Sequence, residues 1–144
     1  MAKSPRKSRA TWDANNKFGI TKLTKDRVPA LPFSLMKKAV MGARYDLSLV
    51  IVGDALSKKL NHTHRKKTYT PNVLSFPVDE TTGEIFLNLK QAKREHAARG
   101  ESYRYFVALL FIHSMLHLKG FAHGDTMESE EHRLLSKFNI KNIF

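Results

Sequence analysis

The sequence predicts an α+β fold, a small mixed β-sheet packed with helices, and three observations predict it. Leu47–Val52, Val73–Val78 and Glu84–Leu89 have strand length and strand composition. The segments between and after them carry helix-type composition with recognisable start and stop residues. From Ser102 onward the apolar residues crowd until the chain reads as a helix apolar nearly all round, which marks a buried central helix. At 144 residues with 42% hydrophobic content, the chain has enough material for one domain with one good core. The expected organisation is a flexible basic tail over residues 1–10 and a single domain over residues 11–144.

The elements follow in order. A first strand is expected near Phe18–Leu23. Pro32 opens a helix carrying Leu35, Met36, Ala39 and Val40, with Gly42 near its end. Leu47–Val52 is a β-branched and leucine-rich strand closed by Gly53. Asp54 is the expected N-cap of a helix running through Leu56 and Leu60. Val73–Val78 and Glu84–Leu89 form two strands joined by the turn-like Asp79–Gly83, with Ile85, Leu87 and Leu89 on one face and Phe86 and Asn88 on the other. Lys90–Arg99 is helical in composition and stops at Gly100. The buried helix follows, holding Phe106, Val107, Leu109, Leu110, Phe111, Ile112, Met115 and Leu116. A last helix spans about Thr126–Phe138, with Glu128, Glu130 and Glu131 early and Lys137 late, the favourable order for the helix dipole.

Composition narrows the chemistry. There is no cysteine, so disulfide partners and thiolate metal sites are excluded, and any metal rests on His, Asp or Glu. No apolar run approaches the roughly 18 residues of a membrane span, and the N-terminus lacks a signal-peptide core. A cytoplasmic protein with no membrane partner is expected. The net charge is +12 and unevenly spread. Lys3, Arg6, Lys7, Arg9, Lys17, Lys22, Lys25 and Arg27 face only Asp13 and Asp26 in the first 27 residues. Lys58, Lys59, Arg65, Lys66 and Lys67 cluster where no acid occurs between Asp54 and Asp79. Such a stripe is the electrostatic footprint of a phosphate-backbone partner, and nucleic acid is the expected one, a merely soluble basic protein and a membrane-surface patch being the alternatives.

The most specific signal is His113-Ser-Met-Leu-His117-Leu-Lys-Gly120-Phe-Ala-His123. Residues four apart share a helix face, so His113 and His117 point two imidazoles at one ion. Gly120 tolerates the left-handed backbone that ends a helix, and the returning chain brings His123 round as a third ligand. Three protein ligands leave the fourth position of a tetrahedral zinc open to water, as in catalytic sites. The remaining histidines, His62, His64, His96 and His132, show no such geometry and are expected to be solvated or locally hydrogen-bonded. Zinc peptidases with this spacing carry glutamate straight after the first histidine as general base. Here Ser114 stands there, so a peptidase lacks its central group, and the basic surface favours an anionic substrate. A metal-dependent phosphodiester hydrolase fits these residues better.

At this point the sequence resembles the bacterial YbeY family of rRNA maturation factors and endoribonucleases. The resemblance rests on His113, Leu116-His117-Leu-Lys-Gly120 and His123, and on an upstream block of Leu60-Asn61, Arg65, Lys67 and Val73-Leu74-Ser75-Phe76-Pro77. Gly83-Glu84-Ile85, Met127 and Glu131 extend it, over roughly residues 46–138. It implies an α+β fold related to zincins, one catalytic zinc on His113, His117 and His123, and cleavage of single-stranded RNA. The implied partners are ribosomal RNA and the small ribosomal subunit, in rRNA processing and ribosome assembly. Arg65 inherits a phosphate or transition-state contact, and Lys58, Lys59, Lys66 and Lys67 steer the RNA backbone. The sequence departs from the family at Ser114 (usually glycine), at Ala122 and Asn72 (usually aspartate), and at Thr70-Pro71, which inverts the usual order. With two carboxylates absent, Asp125 is the candidate base or ligand-orienting partner, an N-cap of the last helix being its alternative role. Two other readings stay open: an RNA-binding assembly factor whose metal is structural, and a zinc peptidase or amidohydrolase using Glu84 or Asp125.

Overall fold

The computed structural model describes residues 11–144, so the basic tail expected over residues 1–10 lies outside the described residues. The chain runs β1 (Thr11–Asp13), β2 (Phe18–Lys22), α1 (Phe33–Met41), β3 (Asp46–Ile51), α2 (Asp54–Arg65), β4 (Val73–Asp79), β5 (Thr82–Leu87), α3 (Leu89–Glu95), α4 (Tyr103–Leu118) and α5 (Asp125–Lys137). The strands form one mixed sheet in the order β1-β2-β3-β5-β4. β2, β3 and β5 are parallel, while β1 and β4 pair antiparallel at the two edges. Pro77 lies in β4, where an edge position tolerates its missing N–H.

Strand periodicity sets the core. Leu49 stands opposite Ile85 and Ile51 opposite Leu87 across the β3–β5 ladder, and all four are fully buried. They share one apolar cluster with Phe106, Phe111 and Met115 of α4. That helix is apolar all round because it has neighbours all round: β4 and β5 on one side, α1, α3 and α5 on the others. Ser102 caps it, its hydroxyl accepting from the Tyr105 N–H at 3.2 Å. Phe111 meets Phe33 edge-on at 5.2 Å between ring centroids and Phe18 at 6.0 Å. The buried helix predicted from sequence is therefore the axis of the core.

Several local expectations are corrected. A strand precedes the first expected one: Thr11–Asp13 pairs with β2, too short to show a period of its own. Gly53, not Asp54, is the N-cap of α2. Asp54 instead accepts from Arg94 Nη1 and Nη2 at 3.0 and 2.7 Å and from Asn88 Nδ2 at 2.9 Å. The Arg94 guanidinium and the Asn88 amide hold its carboxyl down at about 2. The β4–β5 turn is tighter than expected, because Asp79 already pairs with Thr82. Gly83 thus lies in a strand, where an added Cβ would collide with the Tyr45 hydroxyl and crowd Leu118. Asn88 leaves the sheet to cap α3, accepting from Gln91 N–H at 3.2 Å, and Leu89 becomes the first residue of that helix.

The helix expected over Lys90–Arg99 stops at Glu95, because the chain closes a turn there: Glu101 N–H donates to the His96 carbonyl at 3.1 Å. Gly124, not Asp125, occupies the N-cap of α5, and Asp125 makes no side-chain cap.

Candidate metal centre and active-site cleft

His113 and His117 sit one turn apart in the last two turns of α4, half-buried, with ring centroids 4.5 Å apart. The helix then ends through left-handed Gly120 (φ 97), whose N–H donates to the His117 carbonyl at 2.9 Å. Phe121 N–H returns to the Leu116 carbonyl at 3.0 Å, and this reversal carries His123 back over the helix end. The His123 ring stands 5.0 Å from that of His113 and 4.6 Å from that of His117. One ligand atom from each residue falls within 4.8 Å of the others, so the three are able to hold a metal ion.

The outer nitrogens decide what the inner ones offer. His117 Nδ1 lies 3.1 Å from the Phe121 carbonyl, and His113 Nδ1 lies 2.5 Å from Glu131 Oε2. A carbonyl and a carboxylate are acceptors, so both Nδ1 atoms carry a proton, and the Nε2 atoms are the ones that offer lone pairs when the rings are neutral. Those two Nε2 atoms are 3.0 Å apart. With both rings neutral, the two lone pairs would repel at that distance, and a cation between them removes the conflict. Two nitrogens bound to one tetrahedral zinc at about 2.0–2.1 Å stand about 3.3 Å apart, close to what the protein builds without the ion. Burial, and then the neighbouring His113, hold the His117 imidazole below its ordinary pKa and so favour the neutral, ligating form. The donor set fits the metal that the spacing predicted.

The cluster opens into a cleft of about 810 Å³ between α4, β4 and the start of α5. Arg65, the last residue of α2, is exposed on its wall and has no hydrogen bond or ion pair to a described side chain. The loop that follows is tied down: Asn61 Nδ2 donates to the Tyr69 carbonyl and Ser57 Oγ to the Pro71 carbonyl, each at 3.0 Å. Lys58, Lys59, Lys66 and Lys67 are exposed on and just after α2, none of them on the cleft wall. Asp125 is exposed and off the wall, whereas Glu128 and Glu131 from the same helix are on it. Ser114 is buried within α4 beside the cluster, with no carboxylate where a peptidase would need one.

In the sequence, Glu131 enters as an early acid of the last helix and through the resemblance, but not as a partner of His113. A purely physical signal existed: it interrupts the buried stripe of Met127, Leu134 and Leu135 on α5, and an acid at a core position needs a partner. Arg99, also on the wall, gave no signal, because its placement depends on the turn after α3.

Fold and site together define the class: an α+β protein with a three-histidine cluster, able to hold a metal, in an open cleft flanked by arginine. The chain belongs to the YbeY family. A family model described as "Endoribonuclease YbeY" matches residues 13–140. Endoribonuclease YbeY of Campylobacter jejuni (strain RM1221) is 38% identical over 103 residues, covering 66% of this chain and 76% of that protein. The protein of the same name from Aromatoleum aromaticum is 34% identical over 107 residues, covering 69% and 70%. The solution structure of TM1509 from Thermotoga maritima superposes with a TM-score of 0.61 over 83% of this chain and 88% of that one; at 18% identity it speaks to the fold alone. Among the described residues no helix is long and apolar enough to cross a membrane.

Proposed function

We propose that the protein is a zinc-dependent endoribonuclease that hydrolyses phosphodiester bonds of single-stranded RNA, acting on ribosomal RNA in the cytoplasm during maturation and assembly of the small subunit. The observation that carries this reading is the three-histidine group, with the Nε2 atoms of His113 and His117 3.0 Å apart and His123 beside them, in a cleft that also holds Arg65. Family membership supplies the endoribonuclease class. Bound to the three imidazoles, zinc would supply an acidified water and Lewis-acid polarisation of a phosphoryl oxygen.

The chain's own residues do the rest. Glu131 and the Phe121 carbonyl fix the tautomers of His113 and His117 and aim their Nε2 atoms into the cleft. Arg65 binds the non-bridging oxygens of the scissile phosphate and offsets the charge that grows on them. Lys58, Lys59, Lys66 and Lys67 draw the strand toward that wall. Of the acids near the third ligand, Glu128 is on the wall and better placed to carry a proton to or from the reacting group, with Asp125, exposed and off the wall, as the second candidate. The domain over residues 11–144 is thereby a hydrolase domain.

The test is cleavage of single-stranded RNA by zinc-loaded protein beside a His117→Ala variant whose fold is confirmed by circular dichroism. Loss of cleavage in the variant and in chelator, with no peptide hydrolysis by either, is the expected result. Cleavage that survives both would remove the metal from the reaction. Tight RNA binding without cleavage would leave an assembly factor.

A further inference from the structure

Arg99, a second arginine on the cleft wall, is used by nothing above. It lies in the turn between α3 and α4, and that turn is tightly closed. The His96 carbonyl accepts from Arg99 N–H at 3.2 Å and from Glu101 N–H at 3.1 Å, and His96 Nδ1 donates to the Glu101 carbonyl at 2.8 Å. Gly100 turns the corner with φ 70. The side chain is held as firmly as the backbone. Arg99 Nε donates to Glu101 Oε1 at 2.7 Å, and the guanidinium carbon lies 4.7 Å from the centre of the Phe106 ring.

One edge and one face of the guanidinium are thus occupied, while its two Nη groups meet no acceptor among the described residues. The side chain is 49% exposed. Glu95, the other acid on this stretch of wall, is engaged elsewhere: its Oε1 accepts from Asn72 at 2.7 Å and its Oε2 from Gln91 at 2.8 Å. A guanidinium fixed at Nε presents two parallel N–H donors, the fork that matches two phosphate oxygens. Phe106, on which it rests, begins the line of α4 residues that runs along the cleft to His113, seven residues and about 10 Å away along the helix axis. Arg99 and the histidines thus line the same cleft from opposite ends of this row of α4 residues.

We propose that Arg99 is a second phosphate-binding residue, gripping the backbone of the RNA strand away from the cleaved bond and laying the strand along α4. This rests on the endoribonuclease reading. It follows that Arg99 serves long substrates and not short ones. The test compares wild type, Arg99→Gln and Arg99→Lys as zinc-loaded proteins. Binding is measured on a long, non-cleavable 2′-O-methyl oligonucleotide across a salt series. Cleavage is measured on a long RNA and on a trinucleotide too short to reach Arg99.

Arg99→Gln should weaken binding about tenfold and flatten the dependence of log Kd on log salt by about 0.7, one phosphate contact on a single strand. KM for the long RNA should rise, with trinucleotide cleavage unchanged. Arg99→Lys should restore the salt slope without the full affinity. Unchanged affinity and slope in Arg99→Gln, with a wild type that cleaves, would overturn the subsite and leave the function standing. An equal loss on the trinucleotide would put Arg99 at the reaction centre and overturn it too. A wild type that neither binds nor cleaves RNA would overturn the endoribonuclease reading itself.

Discussion

Glu131 occupies a position on α5 that Met127, Leu134 and Leu135 mark as apolar, and it is buried there against the Nδ1 atom of His113. Its work is to hold one imidazole in one orientation. Orienting partners of this kind are worth about 10- to 100-fold in metal affinity. Glu131→Ala should therefore lower zinc affinity by that order in competition with a chromophoric chelator, and Glu131→Gln, which keeps an acceptor oxygen, should lose less. Equal affinity in all three proteins would show that His113 needs no such support.

Lys37 is the basic counterpart of Glu131, fully buried on α1 with its Nζ donating to the Gly42 carbonyl at 2.7 Å and to the Asn16 carbonyl. Burial lowers its pKa from 10.5 to about 8. Between those values the unfolded chain binds more protons than the folded one, so stability rises with pH. In denaturant titrations, wild type should gain on Lys37→Met as pH climbs from about 8 to 10.5. A gap that is flat or shrinks would mean the amine stays charged in the fold. Polar residues at core positions are legible in a sequence as anomalies; their partners, here Asn16 and His113, come from other elements and are not.

The element that matters most is α4, and it was the easiest to read. Its apolar residues leave no polar face, so only a central position satisfies it, and the two histidines at its end follow at helical spacing. Phe111→Ala should cost about 3–5 kcal/mol in chemical denaturation, the loss expected for a buried aromatic packed on two others. A cost below about 1 kcal/mol would mean the core closes over the gap.

The helix end is more specific still. At Gly120 a Cβ would meet no atom within 4 Å, yet φ is 97. Gly120→Ala should therefore act through backbone strain alone, displacing His123 and weakening zinc binding more than Gly100→Ala does, since Gly100 (φ 70) also has open space but no ligand after it.

Other elements were legible only in part. Lys90–Arg99 has helix-forming composition throughout, but the His96–Glu101 closure stops the helix at Glu95. Asn88 suited the outward face of a strand equally well, and only the geometry of α3 makes it a cap. Asp54 had the residue type of an N-cap, and Arg94, 40 positions away, claims it instead. In each case a long-range partner outweighed a local preference.

For the molecule as a whole, the charge and the cleft belong to one design. In the proposed function, a net charge of +12 would bring an anionic polymer to the surface, and the cleft would give it a direction past Arg65 and the three histidines. Motif spacing made the three-histidine group that could hold a metal legible, because it is chemistry carried by residue type. Cleft shape, the contact of Glu131 with His113 and the place of Arg99 on the wall were not, because they depend on how α5 and the α3–α4 turn pack against α4.

Stripping the protein with chelator and titrating zinc back, while following cleavage of a single-stranded ribosomal RNA fragment, shows whether this chain cuts RNA with a metal held by His113, His117 and His123. Cleavage should be absent without zinc and recover fully at one zinc per chain, with no recovery in His117→Ala. Cleavage by the stripped protein, or zinc bound at one per chain with none restored, would contradict the proposed function.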